Sequence, residues 1–417
     1  MKLGSWEVLM VKKVLIILVT CAITIPVFAV DWEIYGRACF KAWFVKPDYK
    51  DDRAVIKNNP DERSYLDFGS DGGGLGLKIY HDSYEGRIHF GYGSTPDFGI
   101  ILKHAWLKWA VTDIFGFIIG QTMTPMAVFP SNMTSAGKTT SAGNWFMLNC
   151  GLFYTGIRPQ LLFEIKNLSV ALIVPFVNHS EEDNVEISIL GGYKTSNTLG
   201  TRLFNLPKVE AAFNYKAESW SFNTGVGIQY YQLQMNDLVL QDWEGDTVGK
   251  KRFDNVDIIS AVVNADLGIN LNLFYANLAV SGGFNYGAYG CKNTTNVKSV
   301  YQIGYIKPQF HGRFIDEITY GGVLTVGLKI NEFIKPECGV GVVSSSRDAR
   351  YYNEGIGKNK DEHTDLALRV YIQSNIMSPN EIVTFTPEIG YADELTGNHG
   401  QEEMKTIFAG CYISADF

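Results

Sequence analysis

The sequence predicts an all-β fold, namely a transmembrane antiparallel β-barrel of about 16 strands with short periplasmic turns and long extracellular loops. Three observations predict it: a period of two in blocks of about ten residues, connections that alternate between short and long, and an apolar-alternating last strand that ends on Phe417. Glycine (42 residues) and tyrosine (22) are abundant, whereas the mean hydropathy is only −0.03. This composition suits a sheet that faces lipid on one side and water on the other.

A cleavable export signal is predicted at the N-terminus. Two lysines precede an apolar run over residues 14–28, and small residues stand at the −3 and −1 positions of a cleavage site after Ala29. A basic region, a short apolar core and such a site are the parts of a secretory signal peptide. We therefore expect a signal peptide over residues 1–29, in which Met10 is the natural start, and a transmembrane barrel over residues 30–417.

Two other interpretations of this apolar run remain open. A transmembrane anchor needs roughly 20 apolar residues, whereas the run has about 15. A lipoprotein signal would end at Cys21, but Thr20 precedes that cysteine and the apolar residues continue beyond it. No later run of 18 apolar residues occurs, which argues against a helical membrane protein.

The period of two is clear in the first predicted strand. Trp32 and Ile34 share one face, whereas Glu33 and Arg37 share the other. Such alternation is typical of a strand with one apolar and one polar side. The sixteen predicted strands are 31–45, 73–81, 86–93, 100–111, 114–121, 158–166, 168–177, 207–217, 219–234, 256–271, 272–287, 318–330, 332–346, 363–376, 381–391 and 404–417.

The connections between these strands separate into two classes. Seven are tight turns, and they alternate with eight longer loops. A soluble sandwich has no reason to sort its connections in this way, whereas outer-membrane barrels have periplasmic turns and extracellular loops. Backbone groups in lipid must pair within the protein, so the sheet must close. Sixteen strands then leave an aqueous lumen.

The longest connection, residues 122–157, follows the fifth strand. It starts after Gly120-Gln121-Thr122 and ends at Ile157-Arg158-Pro159-Gln160, and Lys103-His104-Ala105-Trp106 lies one strand earlier. These segments resemble those of the trimeric 16-stranded outer-membrane porins of the DcaP-like type. The resemblance implies a homotrimer and a loop after the fifth strand that folds inward to constrict the pore. The N-terminal helical extension of some members is lacking.

The expected partners follow from the membrane location. The final apolar-alternating strand, which stops on Phe417, resembles the signal that the barrel-assembly machinery reads in outer-membrane proteins. Outer-membrane lipid and lipopolysaccharide are the other expected partners, in the outer membrane of a Gram-negative-type cell. Aromatic residues are expected to form girdles at the membrane interfaces. The aromatic residues assigned to the girdles are Trp32, Trp43, Trp106, Trp109, Trp220, Tyr230 and Tyr231.

The charges on the predicted inner face favour anionic or neutral solutes. Eleven cations face inward: Arg37, Lys41, Lys78, Arg87, Arg158, Lys166, Lys208, Lys216, Lys329, Lys335 and Arg369. Eight acids do so: Glu33, Glu164, Glu210, Asp266, Glu337, Asp365, Glu388 and Asp416. The inward face of strand 100–111 is ambiguous because Lys103 and Lys108 have opposite parity. In the loop 122–157, Lys138 is the only charged residue. Fixed charge sets the potential that a permeating ion crosses. Alternatively, these charged side chains only form ion pairs with one another across the inner wall and do not select solutes.

Other classes of function have little support. The net charge of −8 argues against nucleic-acid binding. Five scattered cysteines remain after cleavage, without spacing for a disulfide framework or a metal site. We expect no cofactor, no metal and no enzyme activity, although an outer-membrane hydrolase stays a possible alternative.

The sequence is therefore interpreted as a porin for passive diffusion of small hydrophilic solutes, with a preference for anionic or carboxylate solutes. The alternatives are a channel selective for phosphate or dicarboxylates, and a non-channel adhesin or structural barrel. The residues expected to line the pore or its constriction are Lys138, Arg158, Arg37, Lys41, Gln121 and Gln160.

Overall fold

A computed structural model describes the part of the chain that forms the barrel. The described residues are 31–49, 65–69, 73–92, 100–127, 153–175, 186–189, 194–195, 200–204, 206–235, 238–241, 247–251, 255–289, 291, 300–306, 309–350, 360–396 and 404–417. The predicted signal peptide and Lys138 lie outside these residues. In the described part of the chain, no helix is long and apolar enough to cross a membrane.

Sixteen antiparallel strands form one closed barrel. They are β1 Asp31–Tyr49, β2 Gly74–His81, β3 Tyr84–Tyr92, β4 Ile100–Ala110, β5 Phe115–Met123, β6 Ile157–Ile165, β7 Leu168–Ile173, β8 Lys208–Lys216, β9 Trp220–Met235, β10 Val256–Asn270, β11 Phe274–Phe284, β12 Ile318–Leu328, β13 Ile334–Arg350, β14 Lys360–Met377, β15 Val383–Thr396 and β16 Met404–Asp416. Each strand pairs with the next, and β16 pairs with β1 from Arg37↔Asp416 to Tyr49↔Met404. The predicted all-β fold and strand number are confirmed.

The two ends of the barrel differ in their connections. At one end, called the turn end, the strands are joined by tight turns, and both β1 and β16 have their terminal residues there. Asp82, Lys166 and Glu381 in these turns have φ between 40° and 57°, which tight reversals require. At the other end, called the loop end, the eight long connections begin. The alternation predicted from the sequence is therefore present in the barrel.

Some of the long connections contain short strands that the sequence analysis did not predict. Tyr65–Gly69 pairs with β1, and Gly200–Leu203 pairs with β9. Two three-stranded sheets lie in the loops. Their strands are Glu186–Ile189, Val300–Ile306 and Gln309–Ile315 in one sheet, and Lys194–Thr195, Leu238–Gln241 and Thr247–Lys251 in the other.

The outer face is apolar, with aromatic residues near the turn end. Val226 and Val263 are 52% and 57% exposed, as expected for side chains that face lipid. Near the turn end, Trp109 stacks on Tyr84 with ring centroids 5.6 Å apart. Trp220 contacts Tyr215 at 5.0 Å. These outward rings match the predicted interfacial girdle for Trp109 and Trp220.

The girdle prediction is wrong for two other residues. Tyr231 is completely buried, and it lies on the inward-facing side of β9. Trp106 packs on the inner face against a cluster that includes Ile118 and Leu162. Amphipathic aromatic rings fit both the membrane interface and a polar inner wall, so residue type alone did not separate the two positions.

Candidate pore lining and constriction

A β-bulge in β4 places both lysines of that strand on the inner face. The pairing of β3 with β4 shifts by one residue after His89, so that Lys103 is the additional residue. The Lys103 side chain lies over Gly91, which shares the inward face with His89. Lys108 also faces inward and forms an ion pair of 2.6 Å with Glu164. The bulge therefore explains how Lys103 and Lys108, which have opposite parity in the sequence, both face inward.

The three segments that carried the resemblance lie side by side in the wall. Gly120 of β5 stands opposite Trp106 of β4 and opposite Gln160 of β6. Gly120 has a φ of 128°, and a Cβ there would lie 2.2 Å from the carbonyl oxygen of Ala105. Only glycine fits such a close approach of two strands. The segments thus form one unit at the root of the long loop after β5.

Two predicted site residues bind backbone groups at this root. Gln121 donates from Nε2 to the carbonyl of Leu102 at 2.8 Å, beside the bulge. Gln160 donates from Nε2 to the carbonyls of Met123 at 2.7 Å and Thr122 at 3.2 Å, where β5 ends. Bulges and strand ends leave carbonyls without a ladder partner, and these amides supply a donor. A contact of either glutamine with solute stays a prediction.

Both described ends of the connection between β5 and β6 lie inside the barrel. Met126 and Phe153 pack in one buried cluster with Ala212 of β8 and Val262 of β10. The residues that follow Ala212 and Val262 are exposed on the outer surface, so these two side chains face inward. Asn264 of β10 donates from Nδ2 to the carbonyl of Met126 at 2.8 Å. The loop therefore starts and ends against the inner wall.

Arg158 stabilises the point where this loop returns to the wall. Its Nε donates to the carbonyl of Thr155 at 3.0 Å. The Thr155 hydroxyl lies 3.0 Å from that of Thr124, so the two loop ends contact each other directly. Arg158 is half-buried. Its guanidinium thus holds the base of the loop, and its role toward solutes stays a prediction.

A second connection also enters the barrel, between β11 and β12. Asn285 follows β11 with a φ of 52° and turns the chain inward. Tyr286, Tyr289 and Cys291 then join the same buried cluster as Met126. The sequence predicts residues 288–317 as one of the long extracellular loops. The available signal was the aromatic and small composition of residues 286–291, which contain no charge.

Glu210 of β8 is the point where both connections meet the wall. Its carboxylate accepts hydrogen bonds from the Tyr289 hydroxyl at 3.0 Å and from the Met126 amide at 3.3 Å. Lys208 pairs with it at 3.2 Å, and its Nζ lies 3.7 Å from the centroid of the Tyr289 ring. Both charges are almost completely buried. Buried charges require such partners, so these two predicted lumen charges serve the packing of the loops.

The inner wall of β1–β4 carries a group of basic side chains that are partly exposed. Arg37 pairs with Asp416, and Lys78 pairs with Glu33 at 3.1 Å. Both pairs are partly exposed to the lumen. These contacts support the alternative that some charges pair across the wall.

Tyr35 is the centre of this basic sector. Arg87 donates from Nε to the Tyr35 hydroxyl at 2.5 Å, and its guanidinium lies 5.0 Å from the ring centroid. Lys78 lies 4.8 Å from the same centroid, and His89 stacks on the ring at 5.5 Å. A cavity of about 690 Å³ opens beside these groups, between β1, β2 and β3. Lys41 lies further along β1, half-exposed.

Comparisons with solved structures identify the fold. The outer membrane channel DcaP of Acinetobacter baumannii superposes with a TM-score of 0.60 at 15% identity, covering 93% of this chain and 98% of that chain. The chain has the outer-membrane porin fold. The OprB porin barrel of Pseudomonas putida matches with a TM-score of 0.51 at 13% identity, over 93% and 94% of the two chains. An anion-selective porin from Comamonas acidovorans matches with a TM-score of 0.51 at 10% identity, over 93% and 100%.

No protein-family model matches the sequence, and no curated protein matches it significantly. At the identities above, the porin fold is shared while the residues of the lumen are not carried over. The lumen of this porin barrel must therefore be interpreted from its own side chains. In the described part of that lumen, no cluster of His, Cys, Asp or Glu is arranged to hold a metal ion.

Proposed function

We propose that this porin barrel is a trimeric outer-membrane channel through which small hydrophilic solutes diffuse, with a preference for anionic or carboxylate solutes. The observation that carries the proposal is a closed 16-stranded barrel whose inner wall is polar and whose long loop after β5 starts and ends inside it. A barrel of this size encloses more space than its wall side chains fill. Water and solutes can therefore occupy the remainder.

The distribution of charge supports the preference for anions. Lys208 and Glu210 are buried together beneath the loops, whereas Arg37, Arg87 and Lys103 lie in the open sector of β1–β4. Around the barrel, β1 lies seven strands from both β8 and β10, and β4 lies four strands from β8. Cations on the open wall attract anions through the low-dielectric surroundings of a narrow pore. The acids Glu33 of β1 and Asp416 of the neighbouring β16 reduce this effect.

Planar-bilayer recording of the refolded protein tests the channel. Stepwise ohmic conductance is expected, and its absence at high protein load would contradict the proposal. The reversal potential in a salt gradient tests the charge preference, and cation selectivity would contradict that part alone. A non-channel adhesin or structural barrel would give no conductance at all. Saturation of the conductance by phosphate or a dicarboxylate would indicate the substrate-selective alternative.

Lys138 is the charge through which the long loop is predicted to act. Replacing Lys138 with Glu reverses that charge, and we expect the reversal potential to move toward cation selectivity. Asn167→Glu, which adds the same charge on an exposed turn between β6 and β7, is the control and should leave the reversal potential unchanged. If Lys138→Glu also leaves it unchanged, that part of the loop lies outside the ion path.

A further inference from the structure

The segment Asn285–Cys291 is held inside the barrel as firmly as the ends of the long loop after β5. It starts beside the residue at which the connection rejoins the wall before β12, because the Asn285 amide donates to the carbonyl of Glu317 at 2.7 Å. The Glu317 amide in turn donates to Oδ1 of Asn285 at 3.2 Å. Nδ2 of Asn285 donates to the carbonyl of Ile259 at 2.8 Å, which attaches the segment to β10.

Between these points the segment forms a compact turn against the inner wall. The Tyr289 amide donates to the carbonyl of Asn285 at 2.9 Å. Gln229 of β9 donates from Nε2 to the carbonyl of Ala288 at 2.8 Å. Tyr289 and Ala288 are completely buried, whereas Gly287 between Tyr286 and Ala288 is half-exposed. Among the described residues 285–289 and 291, Gly287 is the one that is not buried, so it is the position in this segment where an added side chain is most readily reached by solvent.

Glu210 connects this segment with the long loop. One carboxylate oxygen accepts hydrogen bonds from Tyr289 of the segment at 3.0 Å and from Thr155 of the long loop at 3.5 Å, and the other accepts from the Met126 amide. The Lys208 ammonium compensates the charge at 3.2 Å. Removal of one partner from such a buried set leaves the others without compensation. The two connections are therefore coupled through one side chain.

We propose that Asn285–Cys291 is a second constriction element of the channel, and that Glu210 is the positioning residue that fixes it and the long loop against the wall. This inference rests on the proposed channel function. It assigns a part of the pore to the connection after β11, which the sequence places outside the membrane.

Opposite charges at Gly287 test whether the segment borders the ion path. Among the described glycines only Gly120 and Gly156 have positive φ, so the backbone conformation at Gly287 is one that other residues adopt. Gly287→Glu should move the reversal potential toward cations, and Gly287→Lys should move it toward anions. The matched pair Asn167→Glu and Asn167→Lys on the exposed turn between β6 and β7 should give equal potentials. Conducting Gly287 variants with the wild-type potential would overturn the proposal.

The accessibility of Cys291 tests the role of Glu210. Cys291 is 3% exposed, and burial raises the pKa of its thiol. The thiol is therefore protonated at neutral pH and reacts slowly. In a variant in which Cys39, Cys150, Cys338 and Cys411 are replaced by Ser, labelling by a small charged methanethiosulfonate reports release of the segment.

Tyr289→Phe removes one hydrogen bond and keeps the packing, and Glu210→Gln removes the charge. We expect both to speed labelling of Cys291 at least tenfold. Tyr371→Phe, which removes the hydrogen bond of 2.6 Å to the buried Glu337 elsewhere on the inner wall, is the matched control and should not change the rate. Equal rates in all three variants and wild type would overturn the role of Glu210. Labelling of Cys291 does not depend on conductance. If the barrel does not conduct, the proposed channel function is contradicted, but the labelling rates still test the role of Glu210.

Discussion

Tyr371 illustrates how single residues form the inner wall without closing it. Its ring lies across Gly339 on the neighbouring strand β13, where a Cβ would come within 2.3 Å of the ring. Its hydroxyl donates to Glu337 at 2.6 Å. Phe408 lies across Gly390 in the same way. Glycine on one strand makes space for an aromatic ring from the next, so these rings lie along the wall.

Gly339→Ala tests this arrangement. The new methyl group collides with a ring that is held by its hydroxyl, and we expect a loss of about 1–3 kcal/mol in the free energy of unfolding. The measurement is urea unfolding of the refolded barrel, in which the folded fraction is monitored by its heat-modifiable electrophoretic mobility. Gly86→Ala is the control, because its Cβ would meet the nearest atom only at 3.7 Å. Equal stability of the two variants would show that the ring moves aside freely.

At the scale of elements, the root of the long loop depends on side chains that replace ladder hydrogen bonds. β5 ends at Met123, and the carbonyls of Thr122 and Met123 accept from the Gln160 amide. Gln160 is 5% exposed, so water cannot substitute easily. One glutamine of β6 therefore determines how the chain leaves β5 and enters the lumen.

Gln160→Ala should weaken this root. Two partly buried carbonyls lose their donor, which costs roughly 1–3 kcal/mol in the free energy of unfolding, and the loop ends are expected to move more freely. Thermal unfolding measures the first effect, and fluctuation of the open-channel current measures the second. Asn167→Ala removes an exposed side chain and should alter neither. If the open-channel current of Gln160→Ala fluctuates no more than that of wild type, Arg158 and Glu210 suffice to hold the loop.

At the scale of the whole molecule, closure is completed by the last residue. The Phe417 amide donates to the Gly36 carbonyl at 3.0 Å, and the Gly36 amide donates to the Phe417 carbonyl at 2.7 Å. The Phe417 ring itself is 71% exposed. A barrel in lipid cannot leave strand edges unpaired. The backbone of Phe417 therefore serves closure, and recognition of its exposed ring by the assembly machinery stays a prediction.

Phe417→Ala separates these two roles. The backbone hydrogen bonds remain, so the refolded variant should unfold at nearly the same urea concentration as wild type. In cells, we expect much less folded barrel in the outer membrane, because the ring is the predicted signal for the assembly machinery. Phe385→Ala, another outward aromatic at 38% exposure, should insert normally. Equal insertion of both variants would contradict the signal.

The sequence alone predicted the sixteen strands, because alternation has a period of two and turn residues mark the strand ends. Short and long connections alternate along the chain, and this local pattern was sufficient to infer a closed barrel with both termini at one end. The loop between β5 and β6 was also located from its length. These features depend on residues that are neighbours in sequence.

Other features depended on contacts between distant residues. The bulge at Lys103 arises from pairing with β3, and alternation within β4 could not show it. Tyr231 contacts Phe204 of the connection before β8, and Tyr286, Ala288 and Tyr289 are buried because the inner wall offers them partners from β8, β9 and β10. Parity assigned Glu210 to the inner face correctly. Only the tertiary structure showed that two loops cover this carboxylate, because burial is decided by what packs on a side chain after the barrel has closed.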